Sequence, residues 1–482
     1  MSFEWKSHPL HSVGRIVTGK TPSSNIEGAF DDQGIPFITP SDMDGRRCID
    51  STVRYLSEVG LEVSKKYLVP EGSVAVSCIG SDMGKAVLVG QDSVTNQQIN
   101  TIIVDESQFN PVFVYYVLST MQQELKNIAS GSATPILNKT HFGNVEIRAP
   151  KRELQNKIVS ILEPSDLKIT LNTQTNQTLE QMAQALFKSW FVDFDPVIDN
   201  ALDSGFFERE FAGEGIPEPL AQRAAVRQAM RQSLREAGGT DTAAPVIGGL
   251  PSETRALFPD SFEEHPELGW IPKGWMVKSL AEQTKLIGGG TPKRSNEEFW
   301  GGGIPWFSVK DAPNNSDVFV LDTDEKITVA GLDGSSTRLL PVGTTIISAR
   351  GTVGKLALVG REMAMNQSCY GVLPADGLGL GVYFNYFSLK RIVYWLRQNT
   401  HGAVFDTITK QTFETVSSVV PPSTIASEFE RQVTPWLDLV KSKLLENVSL
   451  SQLRDTLLPK LLSGELTVFD VCQENQVESK VA

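Results

Sequence analysis

The sequence predicts a mixed α/β (α+β) protein in which one domain occurs twice, the two copies separated by two long antiparallel helices forming a coiled-coil-like spacer. Three observations predict it. The second half of the 482 residues restates the first at a displacement of 269–271 residues. Each copy contains short runs rich in Val, Ile and Phe, bounded by Gly and Pro, that have strand character. Each copy is followed by a Leu-bearing stretch with apolar residues at helical spacing.

The repeat rests on eight collinear matches. Gly19-Lys20-Thr21-Pro22 returns as Gly289-Gly290-Thr291-Pro292, and Gly34-Ile35-Pro36-Phe37 as Gly303-Ile304-Pro305-Trp306. Val69 to Gly72 matches Leu340 to Gly343, and Ser77 to Lys85 matches Ser348 to Lys355 with one residue deleted. Asn96-Gln97 matches Asn366-Gln367, Gly131 matches Gly402, Phe142 matches Phe413, and Pro150 matches Pro421. One such pair can arise by chance, whereas eight in order imply duplication.

Within each copy, Ser73 to Ser77, Lys85 to Val89, Thr344 to Ser348 and Lys355 to Val359 read as strands, and Pro111 to Ala129 and Val382 to Asn399 as helices. Behind each copy lies a helical region. Its apolar stripe is Leu167, Leu171, Leu179, Met182 and Leu186 in the first and Leu437, Val440, Leu444, Val448, Leu453 and Leu457 in the second. Pro164 recurs as Pro435, marking a helix start, break or kink at one site in both regions. The 27 residues after each proline allow about 40 Å of helix at 1.5 Å per residue, a little more than one turn of B-DNA. The two stripes are expected to bury against each other, with Leu171, Leu179, Met182, Leu186, Leu444, Leu453 and Leu457 as helix-pair or subunit contacts. The alternative is that each helix packs only on its own domain. The boundaries follow as domains at 1–150 and 270–421, helical regions at 151–202 and 422–466, an insert with a further helix at 203–269, and a tail at 467–482.

Composition narrows the function classes. At 40% hydrophobic and 21% charged residues the chain is of ordinary globular make-up. No run approaches the roughly 20 apolar residues that span a bilayer, and the N-terminus lacks the pattern of a signal peptide, so no membrane association and a cytoplasmic location are expected. Four cysteines and five histidines are scattered without ligand spacing, which predicts neither disulfides nor a metal site. The net charge of −13 is uneven, with −4 over 1–150, −8 over 151–269, +2 over 270–421 and −3 over 422–482. Such acidity argues against tight autonomous DNA binding by phosphate neutralisation, yet leaves room for local basic loops.

Gly14 to Thr21 satisfies G-x-x-x-x-G-K-[ST] literally, but Pro22 follows at once and Ile16-Val17 are strand formers, so the phosphate-loop reading fails on context. Asn110-Pro111-Val112-Phe113 comes nearest to a base-flipping methyltransferase element and reads better as a helix start. No catalytic residues are expected, and the chain is read as a non-enzyme.

What remains is a set of basic and amide side chains in duplicated Gly-rich loops. These are Lys20, Arg46, Arg47, Arg54, Lys85 and Gln97 in the first copy, and Lys293, Arg294, Lys310, Arg350, Lys355 and Gln367 in the second. Arg reads guanine edges in bidentate fashion, Gln reads adenine, and Lys positions on phosphate. Because the copies differ here, Cys78-Ile79-Gly80 against Ala349-Arg350-Gly351, they are expected to read different targets.

The arrangement resembles the specificity subunit of Type I restriction-modification systems. The strings that carry the resemblance most specifically are Met182 to Val197, Leu257 to Trp275 and Leu453 to Leu466, together with the G-x-T-P and G-I-P-[FW] segments that open each domain. The resemblance covers nearly the whole chain. It implies two target-recognition domains reading a bipartite, asymmetric sequence in double-stranded DNA, with paired helices setting the spacing. It further implies two modification subunits that methylate adenine with S-adenosylmethionine and restriction subunits that use ATP and magnesium, so those cofactors belong to partners and none to this chain. The insert, Asp203 to Gly249, departs from the simplest family pattern and reads as a flexible connector or as an added docking surface. A non-enzymatic adaptor that binds protein partners and no DNA is the alternative reading of the same shape.

Overall fold

The computed structural model describes residues 4–80, 82–129, 136–213, 215–236, 250–313, 317–399 and 407–467. The matched glycines Gly131 and Gly402 and nearly all of the 467–482 tail lie outside the described residues. The chain divides into two compact units, Met1–Leu171 with Glu446–Ala482, and Asn172–Leu445.

In the first unit a five-stranded sheet runs in the order Gly14–Thr18, Ile99–Val104, Val74–Ser77, Ala86–Val89, Cys48–Ile49. Its pairs are antiparallel except the last, which is parallel. Val74–Ser77 is buried on both faces, which is why it reads as a continuous apolar run and not as an alternation. A second sheet carries Phe30–Asp31, Tyr55–Leu56, Ile35–Ile38, Ser93–Thr95 and Leu68–Val69. Lys6–Pro9 pairs antiparallel with Glu146–Ala149 and closes the domain. The predicted helix from Pro111 to Ala129 is two helices, Pro111–Thr120 and Gln122–Ala129, and the interruption at Met121 lets the Gln122 amide donate to the Met83 carbonyl at 3.1 Å.

The second unit repeats this wiring. Thr284–Gly288, Cys369–Pro374, Thr345–Ser348, Leu356–Val359 and Phe319–Val320 stand in the same order with the same single parallel pair. Met276–Ser279 pairs with Ser417–Val420 as the closing strands do in the first unit. The smaller sheet differs, because Trp300–Phe307 is one strand with a register shift between Trp300 and Ile304 where the first unit has two strands.

Each helical region contains one continuous helix: Arg152–Phe191 has 40 residues and Ser423–Ser463 has 41, about 60 Å each at 1.5 Å per residue, where the stretch after the proline alone allows about 40 Å. Pro164 and Pro435 lie inside them and do not end them. An interior proline costs about 3 kcal/mol. The turns before Pro164 bury Leu154, Ile158, Val159 and Leu162, and those before Pro435 bury Ile425, Phe429 and Val433. Each such side chain returns roughly 1.5–3 kcal/mol, so continuity wins.

Within each unit the two long helices pack antiparallel. In the first, Arg454 Nη1 donates to Asp166 at 2.8 Å and Lys168 lies 3.6 Å from Glu446, while Leu458 and Leu461 join the core of Leu154, Ile158 and Leu162. In the second, Lys443 donates to Asn172 at 3.1 Å, and Leu186, Phe187 and Trp190 share a core with Phe429, Val433 and Leu437. Leu179 and Leu444 are partly buried against that second core, and Leu457 against the first, whereas Met182 is half-buried. Leu171 and Leu453 are 56% and 52% exposed, and the fully buried residues of the Leu453 stretch are Leu458 and Leu461.

Residues 203–236 do not form a free connector. The helix Glu218–Glu236 buries Leu220 and Ala224 in the second unit's core, and Arg227 pairs with Asp199 and lies 3.8 Å from Asp195. Arg231 and Arg255 both bind Asp203. Residues 237–249, the Gly/Ala part, lie outside the described residues.

Candidate nucleic-acid interface

Each domain builds the same exposed fixture from two loops. The strand Gly14–Thr18 leads into the G-x-T-P loop, where a Cβ on Gly19 would fall 2.1 Å from the Thr95 carbonyl oxygen; on Gly289 it would fall 1.9 Å from that of Asn366. Only glycine admits this approach. The facing turn is pinned by Asn96, whose side chain accepts from the Gln98 N–H at 3.0 Å, and by Asn366, which accepts from Ser368 at the same distance. Across the gap Thr21 Oγ1 donates to Gln97 Oε1 at 2.7 Å, and Thr291 donates to Gln367 in the same way. Both Gln residues are exposed, and with Oε1 occupied each turns its amide N–H₂ outward as a donor.

A second loop recurs as closely. Ser77 Oγ donates to the Asp82 carbonyl at 2.6 Å and accepts from the Lys85 N–H at 3.0 Å, while Ser348 Oγ donates to Thr352 at 2.6 Å and accepts from Lys355 at 2.7 Å. Positive φ at Gly84 and Gly354 turns the chain between the two strands. Lys85 Nζ lies 3.1 Å from Asp82 and donates to the Met43 carbonyl at 3.3 Å, which ties this loop to the one bearing Arg46.

Of the predicted contact residues, Lys20, Arg46, Arg54, Gln97, Lys293, Arg294, Lys310, Arg350 and Gln367 are exposed, and Lys85 and Lys355 are half-buried. Arg46 is held by Asp44 and Asp50. Arg47 is a correction. Its side chain is 11% exposed, bonded to Glu163 at 2.6 Å, 3.9 Å from Asp166 and stacked near Tyr115 and Tyr116. Burial works against its charge, but the bond to Glu163 and the neighbouring acids outweigh it and leave the pKa raised. That guanidinium is enclosed between the sheet and the first long helix and is not an exposed base. The first five residues of the Gly14 to Thr21 match to a phosphate loop, Gly14–Thr18, are a strand, with Ile16 opposite Ile102 and Val17 opposite Thr101, where a phosphate loop would have to curl.

Sequence reasoning missed the aromatic pairs beside these loops. Phe30 and Phe37 meet edge to face at 5.2 Å, and Trp300 and Trp306 at 5.1 Å. Arg54 lies over the first pair and Arg294 over the second. Arg294 also pairs with Glu325, whose bond from Arg294 holds the carboxyl below its ordinary range. The signal was present as aromatic residues in both G-I-P-[FW] segments, but nothing in the spacing brought an arginine to them.

Two copies of one α/β domain, each ending in the same exposed loops with different side chains, define a duplicated recognition scaffold. Comparison with known proteins gives it a family. The model for the Type I restriction modification DNA specificity domain matches residues 3–181 and 272–432. The chain is 29% identical over 485 residues to the Type I restriction enzyme HindI specificity subunit of Haemophilus influenzae, covering 96% of this chain and all of that one. It is 25% identical over 480 residues to the MjaIX specificity subunit of Methanocaldococcus jannaschii, covering 97% and 95%. Its fold is similar to the crystal structure of a Type I restriction-modification S subunit from M. genitalium, with a TM-score of 0.51 at 13% identity over 95% of this chain and 96% of that one. The chain belongs to the Type I restriction-modification DNA specificity family, and DNA sequence specificity is its role. No helix among the described residues is long and apolar enough to cross a membrane.

Proposed function

We propose that the two domains read the two halves of a bipartite, asymmetric target in double-stranded DNA, and that the chain does so without catalysis of its own. The observation that carries this reading is the recurrence of one loop fixture, Thr21–Gln97 and Thr291–Gln367, in domains whose other exposed side chains differ. A neutral Thr–Gln pair built from the same two positions in both domains suits a contact common to all DNA, the backbone, and side chains that arrive from different positions suit base edges. In this reading Lys20, Arg46, Arg54, Lys85 and Gln97 face one half-site, and Lys293, Arg294, Lys310, Arg350, Lys355 and Gln367 face the other. Two modification subunits and the restriction subunits are the protein partners, and S-adenosylmethionine, ATP and magnesium are theirs. The acidic net charge of −13 supports an assembly, and not this chain alone, as the body that encloses the duplex. The complex acts in the cytoplasm.

The test is a genome-wide map of N6-methyladenine in cells with and without the gene for this chain. The expected result is a gapped two-part motif that vanishes on deletion. Unchanged methylation while the modification subunits are active would overturn the reading and favour a protein-binding adaptor.

A further inference from the structure

We infer that each domain holds one guanidinium at a common point, over an edge-to-face aromatic pair beside its G-x-T-P loop, and that this guanidinium is the specificity-determining contact of that domain with its own half-site. The inference rests on the proposed reading of a bipartite target and names the group at its centre.

The two aromatic pairs are equivalent by backbone. The Phe37 N–H donates to the Arg54 carbonyl at 3.1 Å, and the Trp306 N–H donates to the Glu325 carbonyl at 3.0 Å. Glu325 therefore stands where Arg54 stands in the first domain. Arg294, two residues beyond Pro292, stands where Ser24 follows Pro22. Yet Arg54 Cζ lies 4.7 and 5.4 Å from the centroids of Phe30 and Phe37, and Arg294 Cζ lies 3.9 and 5.1 Å from those of Trp300 and Trp306. A guanidinium thus covers the equivalent ring pair in both domains from non-equivalent positions of the chain. A side chain kept only by descent would occupy the same position in both copies. Here the position has changed while the place of the charge has not, so the charge at that place is what has been retained.

Covering the rings does not require a guanidinium, since an exposed cation–π contact is weak and any aliphatic stem covers a ring face. What the arginine adds is a flat set of five N–H donors whose plane the rings fix. Glu325 occupies two of them in the second domain, and the Arg294 side chain stays 55% exposed with three to offer. Arg54 has no carboxylate partner among the described residues and is exposed. It carries its full charge outward, so its contact adds to the salt dependence of binding by about one phosphate, whereas the Arg294–Glu325 pair adds direction with little net charge.

The experiment uses the chain assembled with its modification subunits and duplexes bearing the methylated motif of the proposed test, intact or with one half scrambled. Arg54→Ala is expected to lower affinity roughly tenfold to hundredfold and to remove most of the penalty for scrambling one half only; Arg294→Ala does the same for the other half. The log–log salt slope falls by about 0.9 for Arg54→Ala and changes much less for Arg294→Ala. Arg54→Lys keeps the charge and most of the stem, so it should leave the melting temperature in place and still relax discrimination. Transplanting the second domain's arrangement, Ser24→Arg with Arg54→Glu, should recover much of the binding that Arg54→Glu alone loses. Folded variants that bind and discriminate as the unaltered complex does would overturn the inference, as would loss of both halves by either single substitution. A complex that methylates no gapped motif at all would instead overturn the reading beneath it.

Discussion

At one buried locus the two units solve the same packing problem with opposite chemistry. In the first, Asp166 accepts from Tyr116 at 2.6 Å and from Arg454 at 2.8 Å, with Arg47 at 3.9 Å. In the second, the residues at the corresponding positions are Leu437, Phe387, Ala183 and Val318, all buried in one apolar cluster. The equivalence is visible in the backbone, since Leu88 donates to the Arg47 carbonyl and Leu358 to that of Val318, both at 2.8 Å. Helix caps diverge as sharply. Asn110 caps Pro111–Thr120 by accepting from the N–H groups of Val112 and Phe113. Its counterpart Gly381 has no side chain, and Glu430, which stands where the first unit has Val159, reaches in from the second long helix to accept from Phe384 at 2.7 Å. A Cβ on Gly381 would lie 1.9 Å from the Glu430 carboxyl carbon. The pairs Asn110 with Val159 and Gly381 with Glu430 are thus two answers to one need, and a duplicated domain keeps the task while changing the residue that performs it.

Breaking the charged locus should give the largest effect. Asp166→Ala takes the acceptor from Tyr116 and the buried partner from Arg454, while Arg47 keeps Glu163 and Arg454 keeps Asp455, and it is expected to cost about 3 kcal/mol in denaturant unfolding of the first unit. Importing the second unit's solution whole, Arg47→Val, Tyr116→Phe, Asp166→Leu and Arg454→Ala together, should be near neutral or stabilising, because well-packed apolar groups replace a buried ion network without loss. If the fourfold variant unfolds as readily as the single one, the two loci are not equivalent.

A smaller effect sharpens the contrast of caps. Burial pushes the Glu430 carboxyl up to about 7 against the bonds from Phe384 and Tyr383, well above its ordinary 4.5. The folded state therefore binds that proton more tightly than the unfolded chain. The sign is that this group's contribution is most favourable below pH 4.5 and declines as pH rises to about 7, by roughly 3 kcal/mol. Glu430→Gln should flatten the pH dependence of the melting temperature across that window, and an unchanged profile would remove Glu430 as its source. The first unit has Val159 there and should show no matching term.

The smallest effect is on the other cap. Asn110→Ala is expected to cost about 1 kcal/mol and to leave the second unit's transition unmoved, read by hydrogen exchange of Val112 and Phe113.

Much of this was legible in the chain itself. The Gly-bounded strands and the absence of a phosphate loop follow from patterns within about 20 residues, the duplication follows from collinear matches 269–271 residues apart, and the structure repeats strand order between copies as the matches imply. The extent of the two helical stretches was legible too, but their continuity through the prolines was not. Pro164 and Pro435 are local signals of a break, whereas the aliphatic residues that override them find their partners hundreds of residues away. For the same reason Arg47 looked like a surface base, since its partner Glu163 is 116 positions distant. The exchange of Arg54 for Arg294 was hidden because the matched columns there, Arg54 with Glu325 and Ser24 with Arg294, differ at both places.

The first unit is assembled from two separated stretches, Met1–Leu171 and Glu446–Ala482, and the second from the single stretch Asn172–Leu445. On the ribosome the order of emergence therefore differs from the order of completion. The second unit can close as soon as its own residues are out, while the core that holds Leu154, Ile158 and Leu162 is complete only when Leu458 and Leu461 arrive. At about 5–20 residues per second that wait lasts roughly 15–60 s. Nascent chains of this protein thus pass through a stage in which their N-terminal domain is the unfinished one, and a premature stop near residue 446 would leave it so permanently.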